Sequence, residues 1–470
     1  NGGIKYMGFE PDSIGRTFTS KQIYTDREKL QVWGKDWTNG FKINPRAIVF
    51  PENIEQVKEI ISFAIRENVQ LVPSGGRTGL SGGAVASNGE IVVSFDRMNA
   101  IKSFNASDKI VTCEPGLITA DLQTFAKDQG FFYPVDFASA GSSQIGGNVA
   151  TNAGGIKVIR YGLTRDWVAG LKVVTGTGHL LDCNFGLVKN ATGYDFRHLM
   201  IGSEGTLGLI VEVDIRLTAP PPPQMVMVLA VEHSKDLIKV LKEFSQEMPL
   251  SAFEFFSDLA LSKVLDHREL KEPLAKRSPF YALLEFDASQ VEAAGKAFEV
   301  CEKAAWVQDA VLSQTEHQAR ELWQLREGIS ESIASYTPYK NDLSVRIEDV
   351  PEFLEEVDAY VANSYPDFEV CWYGHIGDGN LHLNILRPEE LSIENFFELG
   401  HEMSPKIFEL VSKKRGSISA EHGVGLLKKD FLSFTRSEEE IRIMQSIKSI
   451  FDPHQILNAD KLIPAKSDAD

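Results

Sequence analysis

A predicted β-hairpin over residues 371–385 constrains the fold of this chain more than any other stretch. Short runs of alternating apolar and polar residues flank Asp378-Gly379, a dipeptide favoured by a two-residue type I′ turn. A turn centred there places His375 directly opposite His382, on the face opposite the apolar one. Directly opposed residues have Cβ atoms about 5 Å apart, so two imidazoles can share a metal ion with a third ligand. The alternative is a histidine pair that only satisfies its own hydrogen bonds.

Length, charge and cysteine spacing limit the functions that the hairpin can serve. A chain of 470 residues exceeds what one core usually supports, so two or three domains are expected. A net charge of −18 argues against nucleic acid as a partner. No apolar run reaches about 18 residues, which predicts no membrane span. Widely spaced cysteines and the lack of a signal-peptide pattern predict a reducing, cytoplasmic location.

A β-α-β unit is predicted to end in a glycine-rich loop at residues 73–83. Residues 47–50 and 69–72 are predicted strands, and apolar spacing between them predicts a helix that starts near Pro51. Glycines leave backbone N–H groups free to approach a phosphate closely. The loop has neither the P-loop motif nor GxGxxG, and taken alone such a loop is more often a plain turn.

Two further glycine-rich stretches, residues 141–155 and 202–208, favour a cofactor over a turn. Strands are predicted between them at 170–174 and 179–182, so three such loops can converge on one elongated ligand that carries a pyrophosphate. The three stretches resemble the FAD-binding domain of the vanillyl-alcohol oxidase type, also called the PCMH type. The first loop offers neither histidine nor cysteine for attachment, so the resemblance implies non-covalent FAD. Arg77 is alternatively an exposed loop cation.

By position, the resemblance implies that FAD contacts Pro73, Gly75, Gly76, Arg77, Thr78, Gly79, Ser143, Gly146, Asn148, Asn152, Gly155, Glu204, Gly205, Ile210 and Asn458.

Four consecutive prolines, residues 220–223, predict a domain boundary because proline cannot continue a strand ladder. Beyond them, strands at 225–231, 251–256 and 281–286 alternate with helical patterns. Together with the hairpin they predict an antiparallel sheet with helices on one face. The predicted class is α+β, with a two-part PCMH-type FAD-binding domain (1–221), a substrate and metal domain (222–425) and a helical segment returning to the flavin (426–470).

Candidate substrate-binding residues lie in the second predicted domain. A helix over 322–330 places Arg326 and Ser330 on one face, where a guanidinium and a hydroxyl can bind a carboxylate. Lys340 lies just before a strand at 342–347 and can supply a second cation to the same pocket. For either cation the alternative is a surface salt bridge.

Residues 416–425 supply the remaining candidate groups. Glu421 is the predicted third metal ligand, and His422 beside it is a candidate base with a pKa near neutrality. A helix cap or a surface salt bridge is the alternative for Glu421. Two nitrogen ligands and one oxygen ligand suit zinc, which we expect, as well as manganese, cobalt or iron.

These residues resemble a narrower family, the FAD-dependent D-2-hydroxy acid dehydrogenases. The pattern is carried by His375, His382, Asn384, Glu421, His422 and Asn458. Within the family, Arg326, Asn384 and residues 339–342 are most similar to the D-2-hydroxyglutarate dehydrogenases, although Ser330 stands where that branch often has threonine.

The resemblance also implies a reaction and a role for each residue. His375, His382 and Glu421 hold the metal, and His422 contacts the substrate and removes its hydroxyl proton while a hydride passes to flavin N5. Asn384 and Lys340 bind the C1 carboxylate of D-2-hydroxyglutarate, and Arg326 and Ser330 bind its distal carboxylate.

D-lactate, D-malate and glycolate are alternative substrates, and a metallohydrolase is the alternative class. An electron-transfer flavoprotein or a quinone is the expected electron acceptor, and a homodimer the expected assembly.

Overall fold

The structure is a computed structural model that describes residue 14 and residues 17–268 and 270–464. Backbone packing divides the chain into two compact units. The first unit takes its described residues from Asn1–Gly154, Leu163–Pro220 and Glu421–Asp470, and the second takes them from Gly155–Gly162 and Pro221–Ala420. The division into 1–221, 222–425 and 426–470 remains a prediction about domains.

The helices and strands follow one another through both units. The helices are α1 (Arg27–Trp33), α2 (Ile54–Glu67), α3 (Thr119–Asp128), α4 (Ile145–Thr151), α5 (Val158–Tyr161), α6 (Thr164–Trp167), α7 (Phe196–Met200), α8 (Ser234–Glu247), α9 (Asp258–Arg268), α10 (Val291–Lys303), α11 (Glu316–Glu327), α12 (Ile329–Ser332), α13 (Val350–Ser364), α14 (Ile393–Lys413) and α15 (Glu438–Phe451). The strands of the first unit are β1 (Ile23–Tyr24), β2 (Ala47–Val49), β3 (Leu71–Ser74), β4 (Ile91–Ser94), β5 (Ile101–Asn105), β6 (Ile110–Cys113), β7 (Val168–Thr175), β8 (Leu180–Cys183) and β9 (Gly208–Arg216). Those of the second are β10 (Gln224–Val231), β11 (Leu250–Ser257), β12 (Phe280–Asp287), β13 (Asp309–Leu312), β14 (Tyr339–Ser344), β15 (Glu369–His375) and β16 (Asn380–Leu386).

Two sheets form the first unit. One has the strand order β1-β2-β4-β3, with β2 and β3 both parallel to β4. The other has the order β5-β6-β9-β7-β8 and is antiparallel. The C-terminal helix α15 packs Ile447 and Phe451 against the core of this second sheet.

Helix α2 shows how local sequence positions the first glycine-rich loop. The helix begins at Ile54 rather than near Pro51, because the Asn53 side chain accepts a hydrogen bond from Gln56 N at 3.0 Å and caps it. Val57, Ile60 and Ile61 are fully buried, as their spacing predicts. Helix α2 leads into β3, and the loop starts where that strand ends.

A seven-stranded antiparallel sheet forms the centre of the second unit, in the order β13-β10-β12-β11-β15-β16-β14. Helices α9 and α11 pack with Tyr373 on one face, whereas α13 contacts the neighbouring Trp372 through Phe353 and Asp358. Because successive side chains point to opposite faces, helices lie on both faces, and the prediction of helices on one face is wrong. The predicted α+β class and the antiparallel sheet are confirmed.

The hairpin forms, but its register differs from the predicted one by two residues. His382 pairs with Tyr373 rather than His375, and His375 pairs with Asn380. The connection is four residues long, and of its residues only Gly379 has a positive φ, so the type I′ turn is wrong. A shift of two residues keeps every side chain on its predicted face. The histidines are diagonal neighbours, with ring centroids 5.2 Å apart.

Candidate functional site

The first two glycine-rich stretches pack against each other in the first unit. A Cβ on Gly76 would lie 2.2 Å from Ser142 O and 2.8 Å from Ser143 Cα. A Cβ on Gly75 would lie 3.7 Å from Gly147 Cα, at ordinary contact distance. Only glycine at position 76 therefore lets these two backbones approach each other as they do.

Arg77 is half-buried and paired. Its backbone has a φ of 59°, and its guanidinium lies 3.4 Å from the Asp96 carboxylate and 5.1 Å from the centre of the Trp33 ring. Asp96 also accepts hydrogen bonds from Trp33 Nε1 and Gln144 Nε2, both at 2.8 Å. Arg77 thus links the first loop to the start of α4, and the alternative of an exposed loop cation is wrong.

Thr119 organises the second glycine-rich stretch. Its hydroxyl donates to Ser143 O at 3.1 Å and accepts from Asn148 Nδ2 at 2.7 Å, and it lies 2.8 Å from Ser143 Oγ. Gly146 N donates to Pro115 O at 2.7 Å, and a Cβ on Gly146 would lie 2.5 Å from Pro115 Cβ. Ser143, Gly146 and Asn148 are therefore held in place by the first unit itself. Asn152 follows α4 as its C-cap, with a φ of 51°.

The loops of the first unit fit a flavin nucleotide. Ser74 Oγ and Gln144 Oε1 are buried and have no hydrogen-bond partner among the residues that the structure describes. Buried polar atoms are nearly always satisfied, so unpartnered ones in a glycine-rich loop indicate a polar ligand. A Cβ on Gly147 would meet nothing within 4 Å, which leaves room beside α4.

Replacing Gly76 by alanine is expected to abolish flavin binding, because the methyl group would overlap the Ser142 carbonyl and push the two loops apart. Gly141→Ala is the matched control, since a Cβ there meets nothing within 4 Å and the residue has no positive φ. The measurement is the ratio of flavin absorbance to protein absorbance after desalting. Equal flavin content in the two variants would contradict this account of the loop.

The third glycine-rich stretch holds the start of the C-terminal segment through Glu204. The carboxylate accepts hydrogen bonds from Val424 N at 2.7 Å and Gly425 N at 2.8 Å. Burial raises the pKa of the Glu204 carboxyl, and the two backbone N–H groups oppose that rise. A Cβ on Gly205, whose φ is 72°, would lie 2.5 Å from Pro73 Cγ, so this stretch also packs on the first loop.

Asn458 connects the same loops to the chain end. Its Nδ2 donates to Gly83 O at 3.0 Å and to Glu204 O at 2.7 Å, and its Oδ1 accepts from Lys461 Nζ at 2.7 Å. Burial lowers the pKa of Lys461 to about 8.

Ile210 is buried in β9. Of the residues predicted to contact FAD, Gly155 alone belongs to the second unit.

Glu421 and His422 are the first residues of this C-terminal segment and are partly exposed. His422 Nε2 lies 3.6 Å from Glu421 Oε1. Ser81 Oγ donates to His422 O at 3.0 Å, and Ser81 O accepts from Leu426 N and Leu427 N. Two of the predicted flavin segments, through Ser81 and Glu204, therefore fix the backbone that carries the candidate base.

In the second unit, the three adjacent strands β15, β16 and β14 place polar side chains on one face of the sheet. The pairs Tyr373–His382 and Asp342–His382 are direct cross-strand neighbours, as are Lys340 and Asn384. His382 Nδ1 lies 3.6 Å from Asp342 Oδ1. Asp342 Oδ1 accepts from Asn380 Nδ2 at 2.8 Å, and Asp342 Oδ2 accepts from Ala420 N at 3.0 Å. Asp342 was not predicted from the sequence.

The predicted carboxylate-binding residues surround Tyr373. The predicted helix over 322–330 is interrupted, because α11 ends at Glu327 and α12 begins at Ile329. The Arg326 guanidinium nevertheless lies 4.7 Å from the centre of the Tyr373 ring. Burial raises the pKa of the Tyr373 hydroxyl, and nearby Arg326, Ser330 and Asn384 oppose that rise. Lys340 Nζ donates to Ser330 Oγ at 3.3 Å. Arg326, Ser330, Lys340 and Asn384 are thus brought together.

Glu254 was also missed by sequence reasoning. Its Oε1 accepts from His375 Nδ1 at 2.8 Å, and its Oε2 lies 2.8 Å from Arg326 Nη2. The signal was present, since Glu254 is the single charged residue in a strand of otherwise apolar and small residues. Its partners are far away in sequence and could not be read from it.

Two family models match the chain. The model described as "FAD binding domain" matches residues 45–184, and the one described as "FAD linked oxidases, C-terminal domain" matches residues 220–462.

Curated relatives match along nearly the whole chain. A protein of Stutzerimonas stutzeri named D-2-hydroxyglutarate dehydrogenase is 55% identical over 94% of this chain and 96% of its own length. A protein of Xanthomonas citri with the same name is 51% identical over 96% of both chains. A mitochondrial D-2-hydroxyglutarate dehydrogenase of Arabidopsis thaliana is 38% identical over 94% of this chain and 79% of its own.

Solved structures share the fold at low identity. p-Cresol methylhydroxylase matches with a TM-score of 0.76 and 13% identity, covering 95% of both chains. Alkyldihydroxyacetonephosphate synthase matches with a TM-score of 0.72 and 18% identity, covering 95% of this chain and 84% of its own.

The fold and the glycine-rich loops thus define an FAD-binding oxidoreductase of the PCMH type. The chain belongs to the FAD-linked oxidases, in the family of FAD-dependent D-2-hydroxy acid dehydrogenases. This membership contradicts the metallohydrolase alternative. Among the described residues, no helix is long and apolar enough to cross a membrane. The cytoplasmic location remains a prediction.

Proposed function

We propose that this chain oxidises D-2-hydroxyglutarate, or a closely similar D-2-hydroxy diacid, to the corresponding 2-oxo acid. The observation that carries the proposal is that Arg326 is buried and has unused hydrogen-bond donors. The side chain is only 7% exposed, yet its Nε and Nη2 groups donate no hydrogen bond to any residue that the structure describes. A buried guanidinium with unused N–H donors is suited to a carboxylate ligand. A second carboxylate distinguishes a hydroxy diacid from lactate.

Two groups of side chains divide the binding of a diacid. Lys340 and Asn384 are cross-strand neighbours and would bind the C1 carboxylate, while Arg326 and Ser330 would bind the distal one. Tyr373 is close to both groups, since Arg326, Ser330 and Asn384 each oppose the rise that burial causes in the pKa of its hydroxyl. A monoacid would leave the Arg326 donors unpaired, which costs about 1–3 kcal/mol for a buried group.

His422 would accept the proton of the substrate hydroxyl on an imidazole nitrogen. Histidine suits this role because its pKa lies near neutrality. The hydrogen bonds of Ser81 and Glu204 to residues 422–425 restrict the backbone, which orients the imidazole. When bound, FAD supplies the acceptor for the hydride that leaves C2 of the substrate. The flavin would be held without a covalent bond.

A divalent cation would be held by His375, His382 and Glu421. The pairing of His375 Nδ1 with the Glu254 carboxylate supports this assignment, because metal-binding histidines commonly donate their second ring N–H to a carboxylate. Such a cation, zinc by this proposal, supplies Lewis-acid polarisation of the hydroxyl. An electron-transfer flavoprotein or a quinone would reoxidise the enzyme, and the assembly would be a homodimer.

Replacing Arg326 by methionine tests the diacid assignment. We expect kcat/KM for D-2-hydroxyglutarate to fall roughly a hundredfold or more, because the distal carboxylate loses its charged partner. The value for D-lactate is expected to change less than tenfold. Arg326→Lys keeps the charge without the planar fork and is expected to give an intermediate loss.

Two controls accompany the Arg326 variants. Flavin content and melting temperature report whether loss of the ion pair with Glu254 has damaged the fold. Equal losses with both substrates in a folded variant would contradict binding of a distal carboxylate by Arg326. A wild-type preference for D-lactate over D-2-hydroxyglutarate would overturn the substrate assignment itself.

A further inference from the structure

Glu254 lies at a junction between two groups of candidate site residues, and this position suggests a role of its own. The carboxylate is 1% exposed and comes from β11, the strand next to β15. One oxygen accepts from His375 Nδ1 at 2.8 Å, and the other lies 2.8 Å from Arg326 Nη2.

We propose that Glu254 is a positioning residue that orients His375 toward the metal and Arg326 toward the distal carboxylate. This inference rests on the proposed function. It goes beyond that function because one buried carboxylate then orients a residue of the metal site and a residue of the distal-carboxylate site.

The contact with His375 fixes which ring nitrogen is available to a metal. A carboxylate only accepts hydrogen bonds, so the proton of the neutral imidazole is on Nδ1. The Nε2 lone pair is then the one that can coordinate a cation. The same hydrogen bond makes the ring a stronger ligand, and loss of such partners typically costs 10–100-fold in metal affinity.

The contact with Arg326 is an ion pair without a well-directed hydrogen bond. Nη2 is close to Glu254 Oε2, but both atoms lack a hydrogen-bond partner by geometry among the described residues. The carboxylate thus compensates the buried charge, while Nε and Nη2 of Arg326 donate no hydrogen bond to any described residue. This arrangement holds the guanidinium in place and leaves its donors for the substrate.

Backbone contacts make Glu254 a rigid support. Its neighbour Phe253 accepts a hydrogen bond from Gly377 N at 2.9 Å, in the connection between β15 and β16. Phe255 and Phe256 pair with Gly374 and Tyr373. Strand β11 therefore fixes Glu254 against the hairpin that carries His375.

Glu254→Gln tests the proposal. The amide keeps the shape of the side chain but has only one acceptor oxygen, so its NH2 group must face either His375 Nδ1 or the Arg326 guanidinium. Glu285→Gln is the matched control. Glu285 is also buried in this sheet, on β12, but its partners are Lys157 and Trp323. Both variants are measured as FAD-loaded, metal-stripped protein.

The first readout is the apparent zinc dissociation constant from competition with a chromophoric chelator. We expect it to rise about 10–100-fold in Glu254→Gln and to stay near the wild-type value in Glu285→Gln. If Glu254→Gln melts well below Glu285→Gln, then Glu254→Asp replaces it, because aspartate keeps the charge and withdraws the carboxylate by one methylene. An unchanged constant in the folded variant overturns the role at His375.

The second readout is the ratio of kcat/KM for D-2-hydroxyglutarate to that for D-lactate at saturating zinc. We expect the ratio to fall about tenfold as Arg326 loses its orientation. Charge alone predicts the opposite, because removal of Glu254 makes the surroundings of Arg326 more positive. A rise in the ratio therefore overturns the role at Arg326. Wild-type protein that neither binds zinc nor is reduced by a D-2-hydroxy acid would contradict the proposed function instead.

Discussion

His422→Ala is expected to slow reduction of the flavin by D-2-hydroxyglutarate about 10²–10⁴-fold while leaving the flavin bound. Without the imidazole, the proton of the substrate hydroxyl loses its proposed acceptor as the hydride leaves C2. The flavin should stay, since the contacts of Ser81 and Glu204 with this segment use the backbone at residues 422, 424 and 425 rather than the imidazole. The measurement is stopped-flow flavin absorbance under anaerobic conditions.

His454→Ala is the matched control for the base. His454 belongs to the same unit and is exposed, and no role is proposed for it. Its rate of flavin reduction should equal that of wild type. A His422→Ala enzyme that retains flavin and metal and is reduced at the wild-type rate would refute the assignment of His422.

Removal of the metal is expected to abolish turnover without bleaching the flavin. The proposed ligands lie outside the glycine-rich loops, so a chelator should leave FAD absorbance unchanged and lower kcat about 10³-fold or more, the size of effect expected when an electrostatic stabiliser of developing charge is lost. Addition of zinc, manganese or cobalt to the stripped enzyme should restore activity. His382→Ala should resemble the stripped enzyme and should not be rescued by micromolar zinc.

His401→Ala is the control for His382→Ala, because His401 lies in the second unit, on α14, is exposed, and contacts Tyr339. It should retain metal and activity. Full turnover after exhaustive chelation, with the metal content confirmed to be negligible, would remove the cation from the mechanism.

The hairpin shows what the sequence could predict and what it could not. The polar and apolar faces of the hairpin could be predicted from the alternation of polar and apolar residues alone. The prediction of the faces is correct because the observed register differs from the predicted one by an even number of residues. The register itself depended on a contact remote in sequence, since Gly377 N donates to Phe253 O and the connection lengthens to four residues. Turn chemistry at Asp378-Gly379 could not reveal this contact.

The same distinction applies to the candidate site. Arg326, Ser330, Lys340 and Asn384 were predicted and are brought together, although the helix that was to align the first two is interrupted at Gly328. Tyr373 between them was not predicted to have a role, because its position depends on strand pairing and on the packing of α11.

Buried carboxylates were the main omission of the sequence analysis. Glu254 is the single charge in a buried strand, and Asp342 is a buried carboxylate in β14, which also carries Lys340. The partners of the two carboxylates, His375, Arg326 and Asn380, come from distant segments. Only assembly of the sheet brings those charges together. The glycine-rich loops were easier to predict, because close backbone approach demands glycine at Gly76 whatever its partner.

Anaerobic reduction of the bound flavin by a panel of 2-hydroxy acids tests the central claim most directly. The panel comprises D-2-hydroxyglutarate, L-2-hydroxyglutarate, D-malate and D-lactate, each with and without added zinc. The account predicts rapid loss of the oxidised flavin absorbance with D-2-hydroxyglutarate, slower loss with D-malate and D-lactate, and none with the L-isomer. A flavin that D-lactate reduces fastest, or that no member of the panel reduces, would contradict it.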